Sequence, residues 1–318
     1  MKKVSRCILI LFIFIFGCNF SAGTKKESQH KDISPPDSTE LNNHNTIRIA
    51  SWNIQNFGRS KATDPVRMAK IAEILKNYDI IAIQEISNVS EQNDPGCPRN
   101  ENACPRSKNC HLIRRALEEY LNKTYNLHYE FVFSPQVKDE RYLFIYNPIR
   151  VGLQEASLMV DPEDSEPICD SQPENTGKMV RQPFEGKFKV GSFDFILLTV
   201  HTSPKINLQE LNGLDYFYKK AQTQGEPDVI IMGDLNADCA YFDESETIPL
   251  RNPCYIWIVP DTADTTVSGT DCAYDRIIFQ DATLEDFTGN WGIVEDIPKS
   301  VSDHYLIWGE FWTDRDSN

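Results

Sequence analysis

Polar side chains of the kinds that bind metal ions and move protons lie at the ends of several apolar runs of this chain. They are Asn53, Glu85, His201, Asp234, Asn236, Asp303 and His304. Alternate residues of an extended chain point to the same side, so Asp234 and Asn236 can face one site. Carboxylate and amide oxygens suit Mg²⁺, whereas the set does not resemble the His and Cys ligands of zinc. If the run ends converge, the pattern predicts metal-assisted phosphoryl chemistry.

Each of these residues alone has an ordinary structural explanation. An acid at the end of a strand is usually a turn residue or a helix cap, and a single histidine is more often a structural residue than a catalyst. Asp303 and His304 could equally form a local turn pair. The combination of such groups at several run ends favours the chemical interpretation.

The apolar runs themselves predict the strands that would position these groups. They are Thr46–Asn53, Asp79–Glu85, Tyr142–Tyr146, Phe184–Val190, Phe193–Val200, Val229–Met232, Asp275–Phe279 and Tyr305–Phe311. Apolar spacing of three and four residues predicts helices over Pro65–Leu75, Leu112–Leu121 and Leu208–Tyr218, the first of them capped by Asp64. Two of these predicted strands, Phe184–Val190 and Phe193–Val200, follow one another directly across Gly191 and Ser192. Adjacent strands mixed with helices favour an α/β (α+β) fold with a mixed sheet over a fold with a purely parallel sheet.

The composition indicates one large globular domain with extensions. The 318 residues are 40% hydrophobic and 25% charged, which is enough apolar material for a sizeable core. The net charge of −15 excludes a protein that coats nucleic acid through a broad basic surface, because such proteins gain affinity by counterion release. Local phosphate binding stays open, since carboxylates can hold metal ions that carry the positive charge.

The N-terminus has the layout of an export signal. Basic residues precede an apolar run over Ile8–Phe16 that is too short for a comfortable membrane span. Residues 1–17 are therefore predicted to be a lipoprotein-type signal peptide, with Cys18 as the lipidated residue, 18–45 as a flexible tether and 46–318 as the catalytic domain. Phe16 departs from the small residue usual in a lipobox, so simple secretion or a signal anchor is the alternative. Nine cysteines in an exported chain indicate disulfides.

Several motifs also occur together in one known family. They are SWNIQNFG, IQEI, ERYLFIYNP, RQPF, TVHTSP, GDLNADCAY, PDTADTTVSGTDCAYDRI and SDHYLIWGEF. In this order, over Thr46 to Trp312, they resemble the deoxyribonuclease I family within the endonuclease/exonuclease/phosphatase superfamily. The resemblance implies a four-layer α/β/β/α sandwich, in which two packed mixed β-sheets are flanked by helices and the active site lies at the sheet edge.

The resemblance also implies roles for individual residues. It implies metal ligands at Asn53, Glu85, Asp234 and Asp303, with Mg²⁺ or Mn²⁺ as the ion. It implies catalytic roles for Glu140, His201, Asp234, Asn236, Asp275 and His304. In this scheme Glu140 pairs with His201 and Asp275 with His304. Two such pairs suit phosphodiester hydrolysis, which takes one proton from water and delivers another to the leaving oxygen. Which histidine is the base stays open.

The resemblance implies polynucleotide contacts at Arg181, Tyr274 and Lys138. It also shows three positions at which this chain departs from the family pattern. Arg181 and Tyr274 match residues that lie along the phosphate backbone, with a surface ion pair and a packed aromatic as the alternatives. The family has arginines where this chain has Gln55 and Ser87, and a tyrosine where it has Lys138. Lys138 could restore a phosphate contact but not stacking. Because phosphate contacts dominate nonspecific affinity, the departures predict weaker, more salt-sensitive or differently targeted DNA binding.

Two structural features are implied in the same way. Cys239 and Cys272 match a structural disulfide of the family. Asp264, Thr266, Ser268 and Thr270 place oxygen atoms at alternate positions and resemble a structural Ca²⁺ site, with an ordinary Thr-rich turn as the alternative.

The function that these observations predict is an exported, Mg²⁺-dependent endonuclease that hydrolyses DNA with little sequence specificity. Its expected partners are double-stranded DNA and, through the lipid anchor, a membrane; the expected form is a monomer in a bacterial cell envelope, or alternatively a secreted protein. A same-superfamily phosphodiesterase or phosphatase acting on a membrane lipid, such as sphingomyelin or a phosphoinositide, is the enzymatic alternative. A non-catalytic surface binding protein on this fold is the third possibility, but such a protein does not need the full set of polar residues.

Overall fold

The computed structural model describes residues 45–87, 108–161 and 179–316. The predicted signal peptide, Cys18 and almost all of the predicted tether lie outside these ranges. Within them, no helix combines the length and the apolar character needed to cross a membrane.

Within the described ranges the chain forms twelve strands and five α-helices. The strands are β1 (Thr46–Phe57), β2 (Ile80–Ser87), β3 (Glu130–Phe133), β4 (Glu140–Tyr146), β5 (Gly152–Leu158), β6 (Phe184–Val190), β7 (Phe193–His201), β8 (Val229–Asp234), β9 (Tyr255–Trp257), β10 (Asp275–Gln280), β11 (Phe287–Val294) and β12 (Leu306–Trp312). The helices are α1 (Arg59–Ala62), α2 (Pro65–Leu75), α3 (Lys108–Leu117), α4 (Asn207–Gln222) and α5 (Asp281–Asp286).

The strands make two mixed six-stranded sheets. The first has the order β11-β12-β1-β2-β4-β3, and the second has the order β5-β6-β7-β8-β10-β9. Each sheet contains one parallel pair, β1 with β2 in the first and β7 with β8 in the second, while its other neighbours are antiparallel. Each sheet therefore has two adjacent strands whose carboxyl ends meet at one edge.

Alternation along the central strands explains the layering. Ile80 and Ala82 of β2 join the apolar cluster between the sheets, whereas Ile81 and Ile83 face an outer cluster that includes residues of α2. The second sheet repeats the pattern, because Ile230 and Met232 of β8 point inward while its other apolar residues pack with α4. Strands that are apolar on both faces need a partner on each side. The predicted four-layer α/β/β/α sandwich is confirmed.

Helix α2 begins as predicted. The Asp64 carboxylate accepts hydrogen bonds from the backbone N–H groups of Val66 and Arg67 at 3.0 and 3.1 Å, and Pro65 occupies the first turn. These contacts satisfy backbone donors that lack a partner within the helix.

The structure differs from the sequence prediction mainly in the peripheral elements. Strands β3, β5, β9 and β11 were not predicted, because β3 and β9 are short and because polar or glycine residues interrupt the apolar pattern of β5 and β11. The predicted helix over Leu112–Leu121 is α3 followed by a π-helical turn over Glu118–Lys123. The apolar spacing located this segment but not its change of helical type.

Candidate active site

The predicted polar residues meet at one edge of the two sheets. Asn53 and Glu85 lie near the carboxyl ends of the parallel strands β1 and β2, and His201 and Asp234 lie at the carboxyl ends of β7 and β8. Antiparallel pairing places Asp275, the first residue of β10, directly opposite Asp234. The topology thus brings together groups that are far apart in sequence.

His201 is held by a carboxylate. Its Nδ1 lies 3.0 Å from both carboxylate oxygens of Glu140, and its backbone N–H donates to the Tyr142 hydroxyl at 3.1 Å. Both His201 and Glu140 are buried, at 7% and 6% exposed. The carboxylate fixes the ring orientation and leaves Nε2 to face the site.

His304 has an equivalent arrangement. Its Nδ1 lies 2.8 Å from Oδ2 of Asp275, a fully buried residue. Its backbone is fixed from two sides, because Trp52 Nε1 donates to its carbonyl oxygen at 2.9 Å and its N–H donates to the Ser302 hydroxyl at 3.0 Å. The structure thus contains two carboxylate–imidazole pairs.

Asp234 connects the two pairs. Its Oδ2 lies 3.5 Å from Nε2 of His201 and 3.5 Å from Nε2 of His304. The same oxygen accepts a hydrogen bond from Asn53 Nδ2 at 2.9 Å, and Oδ1 accepts one from the Asn236 backbone at 3.1 Å. The two imidazoles therefore converge on one carboxylate oxygen.

The electrostatics follow from this burial and pairing. Burial lowers the pKa of His304, but the carboxylates of Asp275 and Asp234 outweigh it and raise the pKa to about 10. Burial likewise lowers the pKa of His201, and Glu140 and Asp234 turn the net shift upward. Burial raises the pKa of Asp234, yet the two imidazoles reverse this and lower it. In the metal-free protein the ionised forms of these groups stabilise one another.

Two further carboxylates are hydrogen-bonded to side chains of β1. Glu85 Oε1 accepts from Asn53 Nδ2 at 3.0 Å, and Asp303 Oδ2 accepts from Gln55 Nε2 at 2.7 Å. Asp303 Oδ1 is buried and has no hydrogen-bond partner among the residues that the structure describes. A buried carboxylate oxygen without a partner fits a hard divalent cation. The donor set of Glu85 and Asp303 therefore suits the predicted metal.

Asn53 is oriented differently from a simple oxygen ligand. Its Oδ1 accepts a hydrogen bond from the Gln55 backbone at 3.0 Å, while its Nδ2 donates to Glu85 and Asp234. In this geometry Asn53 joins the carboxylates of Glu85 and Asp234, and among the predicted metal ligands the buried oxygen without a hydrogen-bond partner in the described residues is Asp303 Oδ1.

Backbone conformation at the site is unusual at two of the predicted site residues. Glu85 has φ of 57° and Asn236 has φ of 46°, in the left-handed region that side chains other than glycine seldom adopt. Gly233 has φ of 154°, and a Cβ atom there would collide with the Val200 carbonyl oxygen of the parallel strand. Strained positions of this kind persist where the surrounding structure fixes them, and they are enriched at active sites.

Sequence reasoning missed the polar groups that support the site. Gln84 Nε2 donates to the hydroxyls of Ser51 at 3.0 Å and Thr199 at 2.7 Å, and so links the two sheets next to Glu85. Asn236 Nδ2 donates to the Thr202 carbonyl at 3.0 Å. Lys61, only 5% exposed, donates to the carbonyls of Ile54 and Gln55. A glutamine inside the apolar β2 run was the one signal in the sequence.

The predicted substrate-contacting residues lie in three different settings. Arg181 is mostly buried, with Nε 3.0 Å from Glu140 Oε2, so it supports the His201 pair as well as facing the site. The Tyr274 ring lies 6.3 Å from the His304 ring and 5.3 Å from the ring of Tyr241, which is 42% exposed. Lys138 is exposed two residues before Glu140. Arg181 thus lies beside the Glu140–His201 pair, and Tyr274 lies beside His304.

Arg181 allows a test of this electrostatic arrangement. Its positive charge opposes protonation of His201, so Arg181→Gln is expected to raise the pKa of His201 further, whereas Arg181→Lys keeps the charge and should stay near the parent. NMR titration of the imidazole in the metal-free protein measures the shift. An unchanged or lower pKa in Arg181→Gln would contradict the arrangement.

The segment behind Asp234 is fixed by a disulfide and by Asp238. Cys239 and Cys272 are bonded across 33 residues, with their Cα atoms 5.9 Å apart. Asp238 Oδ2 accepts from the Ala273 backbone at 2.7 Å and reinforces the same junction. The predicted disulfide is therefore present, and Asp238 has a structural role.

The disulfide should contribute measurably to stability. Replacing both cysteines, Cys239→Ser with Cys272→Ser, is expected to lower the free energy of unfolding by about 3–4 kcal/mol, because the unfolded chain regains the entropy of the closed loop. Urea denaturation under non-oxidising and thiol-free conditions measures the difference. A parent protein whose peptide map shows Cys239 as a free thiol, or a variant with the parent's midpoint, would show the prediction wrong.

The loop between these cysteines brings together the oxygens of the predicted calcium site. Asp264 Oδ1 lies 3.1 Å from Thr266 Oγ1, which lies 3.0 Å from both Ser268 Oγ and the Thr270 carbonyl oxygen. The four residues therefore form one compact oxygen cluster, held together here by hydrogen bonds.

Comparison with known proteins decides the family. Residues 50–304 match the Endonuclease/Exonuclease/phosphatase family. The chain belongs to this family. The resemblance drawn from the motifs is thereby confirmed, and the family's chemistry makes the chain a phosphodiesterase hydrolase.

Individual members of the family are similar over most of the chain. Deoxyribonuclease-1 of Oryctolagus cuniculus is 29% identical over 286 residues, covering 82% of this chain and 91% of the relative. Deoxyribonuclease-1-like 2 of Homo sapiens is 30% identical over 290 residues, covering 82% and 90%.

Solved structures of the family share the fold. An endonuclease/exonuclease/phosphatase family protein from Bacteroides thetaiotaomicron superposes with a TM-score of 0.57 at 16% identity, covering 86% of this chain and 96% of that one. TDP2 of D. rerio, complexed with a single-strand DNA product, gives a TM-score of 0.51 at 17% identity, covering 84% and 98%.

Proposed function

We propose that this protein is an exported, Mg²⁺-dependent endonuclease that hydrolyses DNA phosphodiester bonds with little sequence specificity. The observation that carries the proposal is the pair of carboxylate-held imidazoles whose Nε2 atoms both lie 3.5 Å from Asp234. Similarity to proteins named Deoxyribonuclease-1 supports DNA as the substrate class.

The positions of the site residues suggest which of them transfer protons and which orient the phosphate. Nε2 of one imidazole takes a proton from the attacking water, and Nε2 of the other delivers a proton to the leaving oxygen. Glu140 and Asp275 hold the rings in orientation through Nδ1. Asn236, whose side chain is fixed by the Thr202 carbonyl, orients the phosphate beside Asp234. A bound Mg²⁺ or Mn²⁺ ion, held by Glu85 and Asp303 with Asn53 and Asp234 beside them, would neutralise charge on the phosphate oxygens.

The surroundings of the site favour binding through the DNA backbone. Arg181 beside the Glu140–His201 pair and Tyr274 beside His304 are proposed to contact phosphates, with Lys138 farther out. Gln55, where the family has an arginine, bonds to Asp303 instead of extending from the surface. Phosphate contacts position a protein on DNA without reading sequence. Low specificity and strong salt sensitivity follow from such a surface.

The decisive experiment offers the purified protein several substrates. With supercoiled plasmid and Mg²⁺, we expect nicked and then linear DNA, no cleavage after chelation, and no cleavage by His201→Ala. Sphingomyelin vesicles and a soluble phosphoinositide, assayed in parallel, should stay intact. Cleavage of a lipid with plasmid untouched would replace the DNA proposal by the lipid one, and inactivity on all of them would favour a binding protein.

Export and anchoring form a separate part of the proposal. Residues 1–17 would direct secretion, and Cys18 would carry the lipid that holds the catalytic domain, as a monomer, at a bacterial envelope membrane through the tether over 18–45. In the expressing cell, Cys18→Ala should move the protein from the membrane fraction to the soluble exported fraction. Unchanged fractionation would leave secretion or a signal anchor.

The oxygen cluster of Asp264, Thr266, Ser268 and Thr270 is proposed to bind a structural Ca²⁺ ion. All four members already place side-chain or carbonyl oxygens close to one another, and a cation would replace the hydrogen bonds within the cluster. The disulfide next to it suggests that the ion stiffens the same loop.

A further inference from the structure

A second group of acids lies at the end of the molecule away from the catalytic residues. Asp228 precedes β8, Asp286 ends α5 and Asp316 follows β12. One carboxylate oxygen from each lies within 4.8 Å of the other two. Because β8 separates Asp228 from Asp234 by its whole length, the group is roughly 20 Å from the imidazoles.

Two of these three acids are buried, unlike most carboxylates of a surface cluster, and Asp316 is half-buried. Asp228 is 0% exposed and Asp286 is 1% exposed. Asp286 Oδ1 has no hydrogen-bond partner within the described ranges. A buried carboxylate oxygen with no partner is costly, and an ionised one more so. The fold therefore leaves a strong acceptor unsatisfied in the interior of this group.

A neutral oxygen beside it is also unsatisfied. The Thr283 hydroxyl is fully buried and has no partner in the part of the chain that the structure describes. Thr283 precedes Asp286 by three residues on α5, so both side chains lie on one face of the helix. Two unsatisfied buried oxygens of different chemistry thus lie side by side.

The neighbouring charges repel rather than compensate. Burial raises the pKa of Asp286 to about 7, and Asp228, Asp316 and Glu285 add to the rise. Burial and the same kind of repulsion raise the pKa of Glu226 to about 7. Lys189 pairs with Asp194 on the exposed side, with Nζ 3.2 Å from Oδ1. The group as a whole attracts positive charge.

A cavity adjoins the group. It encloses about 280 Å³ and is lined by Asp194 and Glu226 among others. Asp194 N–H donates to Asp316 Oδ2 at 3.2 Å, and Asp228 N–H donates to Glu226 Oε1 at 2.8 Å. Two residues of the cavity wall are therefore hydrogen-bonded to acids of the group.

We propose that Asp228, Asp286 and Asp316 bind a calcium ion that is separate from the catalytic metal and from the Asp264 cluster. All the ligands are oxygens, and a site of three carboxylates from the protein suits Ca²⁺ better than Mg²⁺, which is usually held by one or two carboxylates together with substrate phosphates. Thr283 and water complete the ligand set. The ion joins the start of β8, the end of α5 and the segment after β12, which are distant in sequence.

Thermal unfolding of the full chain tests this directly. After chelation, calcium at about 100 times its dissociation constant should raise the parent's midpoint by about 5 °C. In Asp286→Asn the calcium-dependent rise should be clearly smaller, because the ion loses a charged ligand. The chelated Asp286→Asn protein should unfold above the chelated parent, because one of three repelling charges is gone. The Asp264 cluster is present in both proteins and cancels from the comparison.

Matched variants and a direct count of bound calcium ions complete the test. Asp281→Asn, an exposed acid on the same helix, should behave as the parent does. If Asp286→Asn does not fold, Asp316→Asn gives the same comparison at the less buried member. Equilibrium dialysis should show about one calcium ion fewer per chain in either variant. Equal calcium-dependent rises in the parent and the variant, or a rise with magnesium but not with calcium, would overturn the proposal.

Discussion

His201→Gln is expected to lower kcat for plasmid cleavage by about a thousandfold, because a positioned proton-transfer group contributes roughly 10²–10⁴ in rate. The glutamine keeps a polar group next to Glu140 but cannot transfer a proton near neutral pH. KM should change little, since Arg181, Tyr274 and the acids that hold the metal are untouched. The measurement is steady-state nicking of supercoiled DNA with saturating Mg²⁺.

The control for this result is His128→Gln. His128 is exposed and lies outside the site, so its replacement removes an imidazole without touching the proposed chemistry. Circular dichroism should show both variants folded. A His201→Gln protein that retains more than about a tenth of the parent's kcat would remove His201 from the role of acid or base.

Glu85→Gln should abolish cleavage through the loss of the metal. The substitution keeps the shape of the side chain, so the hydrogen bonds from Asn53 and the Asn56 backbone can partly persist, but it removes a formal charge from the predicted ligand pair. We expect the affinity for Mg²⁺ to fall by at least about 10–100-fold, by analogy with losses at residues that support a metal. Calorimetric titration of Mg²⁺ into the chelated protein measures it.

Glu246→Gln serves as the matched control, because Glu246 is an exposed glutamate far along the chain from the ligand pair. Raising Mg²⁺ well above the new dissociation constant should restore part of the Glu85→Gln activity. If Mg²⁺ binds Glu85→Gln with the parent's affinity, the metal binds elsewhere. The proposed roles of His201 and His304, which assume this metal position, would then be wrong as well.

The sequence was sufficient for the central strands because they are apolar on both faces. Runs such as Val229–Met232 are typical of buried strands, and the polar residues that follow them were expected at the edge of a sheet. Peripheral strands such as β5 and β11 were missed because pairing with a neighbour, rather than their own apolar pattern, holds them in place.

The site could be predicted only in part, because many of its contacts join residues that are distant in sequence. Residue types at strand ends suggested metal and proton chemistry, and the family resemblance supplied the pairs. Neither could show that Gln84 links the sheets or that Lys61 supports the β1 end, because these contacts depend on three-dimensional neighbours. The acids at Asp228, Asp286 and Asp316 were missed because they are far apart in sequence and match no motif.

The position of Asp234 Oδ2, 3.5 Å from both imidazoles, has a consequence for titration of the protein. A proton on either ring alters the field at the shared oxygen and so alters the other ring's affinity for a proton. The two histidines then titrate as one system, with apparent pKa values that belong to the pair. The acidic and alkaline limbs of a pH–rate profile cannot each be assigned to one ring, and a substitution at either histidine should displace both limbs together.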